Sequence, residues 1–363
     1  MKFLITKEQL SHGLQAVQNV VSPRSTLPIL SNVLLRAEGE KLHLTATDLD
    51  ITVVSSVAAS VVRAGAITLP AKRFAEIVRE LNSVEVQFDV NDKNVCTISA
   101  GPAVFKMAGL PAEEFPPLPN FGEKRRITLQ QEALKDLLNK TSYAISADET
   151  RFVLNGILMS LRDHSVTLVA TDGRRLALAE EQVEVPPQSL GECIIPTKAI
   201  NELNRLLAKD SVDIRLTDNQ VEFNLGSTII ISKLIEGTYP NYKQVIPQET
   251  KERVAMNREE LLGALRRARI MTNERSNSVK LTLGVNQVSI TANTQDVGEL
   301  HESFAVRYTG REFSIAFNPE YLMDPLKALN DEEVYLELID ELSPGLLKIK
   351  SSFLYVLMPM RMS

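Results

Sequence analysis

The chain has 363 residues, 44% hydrophobic and 24% charged, with a formal net charge of −6 at pH 7. This is the balance of an ordinary globular protein, which excludes a disordered chain, and its acidity argues against an ordinary, basic DNA-binding domain. No apolar run approaches the ~20 residues that span a bilayer, the opening residues turn polar too soon for a signal peptide, and Cys96 and Cys193 lack the spacing of a disulfide framework or zinc site.

In chain order, residues 7–21 place Leu10, Leu14, Val17 and Val21 at three-to-four spacing, which predicts a helix with Thr6 as its N-cap. Lys41–Ser56 is rich in Thr, Val and Leu and reads as strands. A second helix is predicted over Ala71–Leu81, behind Pro70, and Glu85–Ala100 returns to strands. A polar, proline-bearing joint covers Pro111–Arg126. The order then recurs. A helix follows Gln130, a poorer cap than threonine; Val166–Glu180 reads as strands, Thr197–Ala208 as a helix and Asp213–Ser232 as strands. After a second joint at Gly237–Arg253, Asn257 caps another helix, and Pro319–Leu329 forms the last.

The recurrence is also literal. Leu10, Leu134 and Leu261 end matching stretches 124 and 127 residues apart, and Leu14, Leu138 and Leu265 follow each four positions later. Leu44-Thr45-Ala46-Thr47-Asp48 returns as Leu168-Val169-Ala170-Thr171-Asp172. Glu113-Glu114-Phe115-Pro116 is echoed by Glu236-Gly237-Thr238-Tyr239-Pro240. A unit of about 120 residues is one domain, far longer than a solenoid repeat. The fold class is therefore α+β in three copies, each with two helices and several mostly antiparallel strands.

Charge is unevenly spread. The six repeat helices sum to +4, leaving −10 on the rest. Either helices simply favour Lys and Arg, or they share a face turned toward something anionic. Asp48-Leu49-Asp50-Ile51-Thr52 fits the D-x-D-x-T of Mg²⁺-dependent phosphotransferases, but the second copy keeps only Asp172 and the third neither, so a turn at a strand end explains all three better. P-loop, GxGxxG, HExxH and GxSxG motifs are absent, the four histidines are scattered singly, and no cofactor or metal is indicated. The chemistry points to a non-enzyme, leaving a three-domain scaffold as the alternative.

Thr47-Asp48-Leu49-Asp50, Arg151-Phe152-Val153-Leu154-Asn155-Gly156, Ala170-Thr171-Asp172-Gly173-Arg174-Arg175-Leu176, Glu236-Gly237-Thr238-Tyr239-Pro240-Asn241-Tyr242 and the tail Met358-Pro359-Met360-Arg361 together resemble the bacterial DNA polymerase III beta subunit, the replicative sliding clamp, over the whole chain. The resemblance implies three DNA-clamp domains, expected at residues 1–122, 123–248 and 249–363. Two chains would close head to tail into a six-domain ring, with helices lining the hole and sheets outside. It implies a cytoplasmic, nucleoid-associated homodimer on double-stranded DNA, without membrane contact. Its partners would be the replicative polymerase catalytic subunit, the clamp loader, translesion polymerases, mismatch-repair proteins and DNA ligase, bound through short linear motifs.

Residue by residue, the resemblance puts Arg24, Lys72, Arg79, Lys198 and Arg205 toward DNA, although each also reads as a solvated helix charge. It places Leu154, Thr171, Gly173, Arg174, Leu176, Pro240, Val245, Val356, Met358, Met360 and Arg361 in a peptide groove. The apolar terminal run Tyr355–Met360 suits such a surface, because methionines repack easily, but it also reads as a last core strand. Phe105 and Met107 would meet Ile270 and Met271 across the dimer seam, with Lys106 facing Glu299 and Glu302. Gln244 departs from the basic residue common there, and Ser363 extends past the usual ending.

Overall fold

The first helix starts where Thr6 Oγ1 accepts a hydrogen bond from the Gln9 N–H at 3.2 Å, satisfying one of the donors that a helix start leaves unpaired. The structure, a computed structural model, describes residues 1–21, 27–119, 121, 125–273, 276–295 and 297–361. The first repeat runs β1 (Lys2–Thr6), α1 (Lys7–Val17), β2 (Asn32–Glu38), β3 (Lys41–Thr47), β4 (Ile51–Ala58), β5 (Ser60–Arg63), β6 (Gly65–Pro70), α2 (Ala71–Glu80), β7 (Glu85–Val90), β8 (Val95–Ala100) and β9 (Ala103–Ala108). The second runs β10 (Arg126–Gln130), α3 (Gln131–Thr141), β11 (Gly156–Arg162), β12 (Ser165–Thr171), β13 (Arg175–Gln182), β14 (Gly191–Pro196), α4 (Thr197–Leu206), β15 (Ser211–Leu216), β16 (Gln220–Asn224) and β17 (Thr228–Lys233). The third runs β18 (Glu252–Asn257), α5 (Arg258–Ile270), β19 (Val279–Gly284), β20 (Gln287–Thr294), β21 (Gly298–Ala305), β22 (Phe313–Phe317), α6 (Pro319–Ala328), β23 (Glu333–Leu338), β24 (Gly345–Lys348) and β25 (Phe353–Leu357). One pattern of strand, helix, strands, helix and three strands is written three times.

The helix predicted over 7–21 divides at Val17, and Gln18–Val20 tighten into a 3-10 turn. Val17, Val20 and Val21 crowd that end with β-branched side chains, which are stiff in a helix. Asn257 and Asn318 cap α5 and α6 as Thr6 caps α1, accepting from the Glu260 N–H at 3.0 Å and the Glu320 N–H at 2.9 Å. At the start of α3 the buried Gln131 side chain works elsewhere, accepting from the Ala208 N–H at 2.9 Å and donating to the Ser211 carbonyl at 3.0 Å.

Two compact units emerge, and they cut through the middle repeat. One comprises Met1–Glu132 with Asn201–Leu234. It holds a five-stranded sheet, β5-β1-β7-β8-β9, and an eight-stranded sheet, β10-β15-β16-β17-β4-β3-β2-β6. Phe3 stacks on Phe88 with ring centroids 4.6 Å apart, and Phe74 meets the same ring edge-on. Gly13 lets α1 lie close on the sheet, since a Cβ there would stand 2.7 Å from Leu44 Cδ1. The other unit comprises Ala133–Ile200 with Ile235–Ser363. It holds β14-β11-β12-β13-β25-β24-β23-β18 and the four-stranded sheet β21-β20-β19-β22. Each eight-stranded sheet is therefore two half-sheets from successive repeats, joined at β4–β17 in the first unit and at β13–β25 in the second.

Candidate peptide groove and charged surfaces

The β12–β13 turn carries four of the groove residues, and its hydrogen bonds explain its sequence. Thr171 Oγ1 donates to the Arg175 carbonyl at 2.6 Å and accepts from the Gly173 N–H at 3.1 Å. Asp172 Oδ1 accepts from the N–H groups of Arg174 and Arg175 at 2.8 and 3.0 Å. Gly173 sits at φ +84°, where glycine is favoured. The turn at Thr47–Ile51 has the same wiring. Thr47 Oγ1 donates to the Ile51 carbonyl at 3.0 Å, and Asp48 Oδ1 accepts from the Asp50 and Ile51 N–H groups at 3.0 and 2.9 Å. The D-x-D pair is thus an Asx turn, with Asp48 bound to backbone and Asp50 3.0 Å from Lys233 Nζ. Among the described residues, no group of three or more His, Cys, Asp or Glu could hold a metal ion.

The turn borders an apolar floor. Leu158, Val169 and Leu178 face one another across β11, β12 and β13, and Leu176 pairs with Val356 across β13 and β25. Leu176 and Val356 are only 2% and 1% exposed, so they form the floor itself. Leu154 enters from the 3-10 turn over Glu149–Leu154, and Tyr239 joins the cluster from the segment after β17. Tyr242, Ile235 and Ile246 pack against it, half-buried. Pro240 and Val245, on the same segment, are exposed, as are Gly173, Arg174, Met360 and Arg361; Thr171 and Met358 are half-buried. The tail is held at two points beyond β25, with the Met358 N–H donating to the Arg174 carbonyl at 3.0 Å and the Met360 N–H to the Ala316 carbonyl at 2.8 Å.

Burial raises the Tyr239 phenol well above its ordinary range, so the groove holds a neutral hydroxyl there. A hydrogen bond to Tyr321 raises the Arg174 pKa, keeping a fixed cation at the rim. The cluster is thus a buried apolar patch bordered by the exposed residues Gly173, Arg174, Pro240, Val245 and Met360, and an apolar patch with polar groups at its margin is the chemistry that a short peptide's side chains meet. Sequence reasoning missed Tyr239 and Tyr242 as members. Their signal was the repeated aromatic-proline pair, Phe115-Pro116 and Tyr239-Pro240, which the spacing marks as structural without showing which cluster it joins.

The other expected residues scatter. Lys72 and Arg79 are exposed on α2, and Lys198 is exposed on α4. Arg205 is committed differently. Its guanidinium donates to the Gln15 and Ala16 carbonyls at 2.9 and 2.6 Å, at the negative end of α1, and pairs with Glu202. Arg24 lies outside the described residues. Phe105 and Met107 stand on β9, an edge strand of the five-stranded sheet. Ile270 ends α5, largely exposed, and the Met271 carbonyl accepts from Thr294 Oγ1 at 2.6 Å. Glu302, expected to face Lys106, has its carboxylate 2.8 Å from Arg267 Nε.

A thrice-written unit of two helices and antiparallel half-sheets, with a buried apolar cluster where two half-sheets fuse, defines a DNA clamp. Residues 1–119 match the family described as DNA polymerase III beta subunit, N-terminal domain, residues 128–241 its central domain, and residues 243–361 its C-terminal domain. The beta sliding clamp of Chlamydia muridarum is 36% identical, covering 100% of this chain and 99% of the relative. The crystal structure of the Bacillus subtilis sliding clamp aligns over the full length of both chains at a TM-score of 0.96 and 31% identity. The Pseudomonas aeruginosa clamp bound to griselimycin also aligns over both full lengths, at 0.96 and 34%. The chain belongs to the DNA polymerase III beta subunit family. It serves the replicative polymerase as a DNA sliding clamp and is not an enzyme.

Proposed function

We propose that two copies close head to tail into a six-domain ring that stays on duplex DNA by encirclement, and that the apolar groove tethers its partners. The observation that carries the ring is one repeated junction. β4 of the first repeat pairs with β17 of the second, and β13 of the second pairs with β25 of the third. The third-repeat counterpart of β4 and β13 is β21, and the first-repeat counterpart of β17 and β25 is β9. Both stand at sheet edges. The same junction made between chains would set β21 of one copy on β9 of another, a heterologous contact that closes after two copies if the rotation allows. It would bring Phe105 and Met107 toward Ile270 and Met271, with Lys106 near the carboxylates of Glu299 and Glu302.

In this reading the domains span 1–122, 123–248 and 249–363, and Lys72, Arg79 and Lys198 face the duplex. Arg205 adds positive field while it ties α4 to α1. A protein held by many phosphate contacts would be tight, salt-sensitive and slow to slide, whereas a closed ring needs only loose backbone contact. Leu154, Leu176 and Val356 form the groove floor, with Thr171, Gly173, Arg174, Pro240, Val245, Met358, Met360 and Arg361 at its margin. Translesion polymerases, mismatch-repair proteins, DNA ligase and the clamp loader would share it, in the cytoplasm, on the nucleoid. Retention on DNA tests the reading: after clamp-loader treatment, the protein should remain on nicked circles and leave linear DNA through its ends. Equal retention on both forms would refute encirclement.

A further inference from the structure

The groove over β11–β13 has a counterpart one repeat upstream. Its floor is the cross-strand row Leu158–Val169–Leu178. In the first repeat the row Leu34–Thr45–Val54 crosses β2, β3 and β4 in the same register, each residue 124 positions earlier. Phe115, Pro116 and Leu118 stand 124 positions before Tyr239, Pro240 and Tyr242. With the three floor residues, they line a cleft of about 300 Å³, at the small end of the ~300–1,000 Å³ of ligand pockets.

The chemistry of the two clefts differs. Thr45 replaces Val169, so this floor is more polar. At the rim, Arg36 and His43 stand where the other groove has Ser160 and Thr167. Ser160 and Thr167 are satisfied internally, donating to Glu192 and Glu180 at 3.1 and 3.0 Å. In the first repeat, Glu38 stands opposite Lys41 in register, so opposite charges face each other. His43 Nδ1 lies 2.7 Å from Ser56 Oγ, and burial lowers its pKa toward the neutral form. Arg36, opposite His43, is exposed and has no ion-pair partner among the described residues. Leu118 is 50% exposed, an apolar side chain with one flank uncovered. The cleft thus offers one unpaired guanidinium beside a small apolar floor.

We propose that this cleft is a second docking groove, taking an extended partner peptide with an aliphatic or aromatic side chain on Leu34, Val54 and Leu118 and a carboxylate on Arg36. It rests on the peptide-groove reading of the β11–β13 site, and a charge-assisted pair to guanidinium supplies its selectivity. Its smaller, more polar floor makes it the weaker of the two.

The test is a titration of the full-length protein, methyl-labelled on Leu and Val, with the capped peptide Ser-Asp-Leu-Phe-Asp and a version in which lysine replaces both aspartates. Methyl signals of Leu34, Val54 and Leu118 should shift and saturate with a Kd of about 0.1–1 mM. Arg36→Glu and the lysine peptide should each weaken this binding at least five-fold. Leu118→Ala, at an exposed position that leaves folding intact, should weaken it as well. Signals of Leu154, Leu158 and Val356 report the other groove separately. Silence of the first set alone defeats this proposal, and silence of the second set alone defeats the reading it rests on. Shifts of the first set that ignore Arg36→Glu, that follow protein concentration alone, or that need an oligothymidine instead of peptide would also overturn it.

Discussion

Arg175 Nη1 stands 2.5 Å from Asp324 Oδ2, an ion pair that ties the β12–β13 turn of the middle repeat to α6 of the third. The same guanidinium reaches Asp172 Oδ2 at 3.1 Å and the Tyr143 carbonyl at 2.6 Å, and lies 4.4 Å from the centre of the Tyr321 ring. The Arg175 side chain is only 10% exposed, so removing it takes a close counter-charge from both carboxylates and leaves Asp324 with Lys327, 3.4 Å away. Breaking such a pair from one side costs about 3–5 kcal/mol when fully buried, and partial exposure of Asp324 lowers that to about 2–4. Arg175→Met should therefore shift urea unfolding to markedly lower denaturant, with Arg175→Met plus Asp324→Leu recovering part of the loss. An unchanged midpoint for the single variant would show that the pair contributes nothing.

Arg175 also marks where sequence reasoning stops. Leu10, Leu134 and Leu261 announce the helices because helical spacing is local. The fusion of half-sheets at β4–β17 and β13–β25 is not local, since any of several apolar strands could have supplied the partner edge. Arg174 and Arg175 are adjacent and chemically alike, yet one side chain is exposed and the other lies under Tyr321; only the packed sheet distinguishes them. Arg205 reads as an exposed helix cation until the carbonyls ending α1 come within reach.

The two Asx turns predict a stabilising substitution. Leu49 sits at φ +79°, where the second repeat has Gly173 at +84°. A leucine there carries strain of about 1–2 kcal/mol, while glycine costs roughly 0.5–1 kcal/mol through the unfolded chain. Leu49→Gly should thus be neutral to stabilising by up to about 1 kcal/mol, seen as an equal or higher melting temperature. Gly173→Ala should destabilise, because a side chain at φ +84° is strained, even though the Arg151 guanidinium 2.8 Å from the added Cβ can swing aside. A melting temperature lowered by Leu49→Gly would contradict this account of the turn.

Acid sensitivity should respond to Asp213. Thr128 Oγ1 donates to Asp213 Oδ1 at 2.6 Å, and Arg126 Nη2 donates to Oδ2 at 2.6 Å. The Thr128 bond first, then Arg126, holds this carboxyl below its ordinary value of 3.8. A depressed folded pKa gives stability that is present above the unfolded value and lost as pH falls through the folded one. Asp213→Asn should be less stable than the parent at pH 6, and the gap should close between about pH 4 and pH 2. Urea midpoints at the two ends of that range measure it, and a gap of constant size would count against the mechanism.

Cys96 should be chemically silent in the native chain. It is fully buried, and burial pushes its thiol up to about 12, so the reactive thiolate is scarce at pH 8. Mass spectrometry after brief iodoacetamide treatment should find Cys96 unmodified in the folded protein and alkylated in urea. Alkylation at equal rates under both conditions would mean the five-stranded sheet opens far more often than its packing allows.

The tail offers the sharpest test of the peptide groove. Met358 and Met360 are tied down by one backbone bond each, to Arg174 and Ala316, and Met360 remains 37% exposed. Deleting residues 358–363 should therefore change unfolding little while removing apolar surface from the groove margin. A peptide that buries one leucine and one phenylalanine gains about 3–6 kcal/mol before ordering costs. Losing two methionine contacts takes about 1–2 kcal/mol of that, a roughly 5- to 30-fold weaker Kd. Met360→Leu keeps the apolar contact and should bind nearly as the parent does. Fluorescence polarisation with a labelled peptide ending in leucine and phenylalanine reads both variants, and undiminished affinity in the truncated chain would remove the tail from the site.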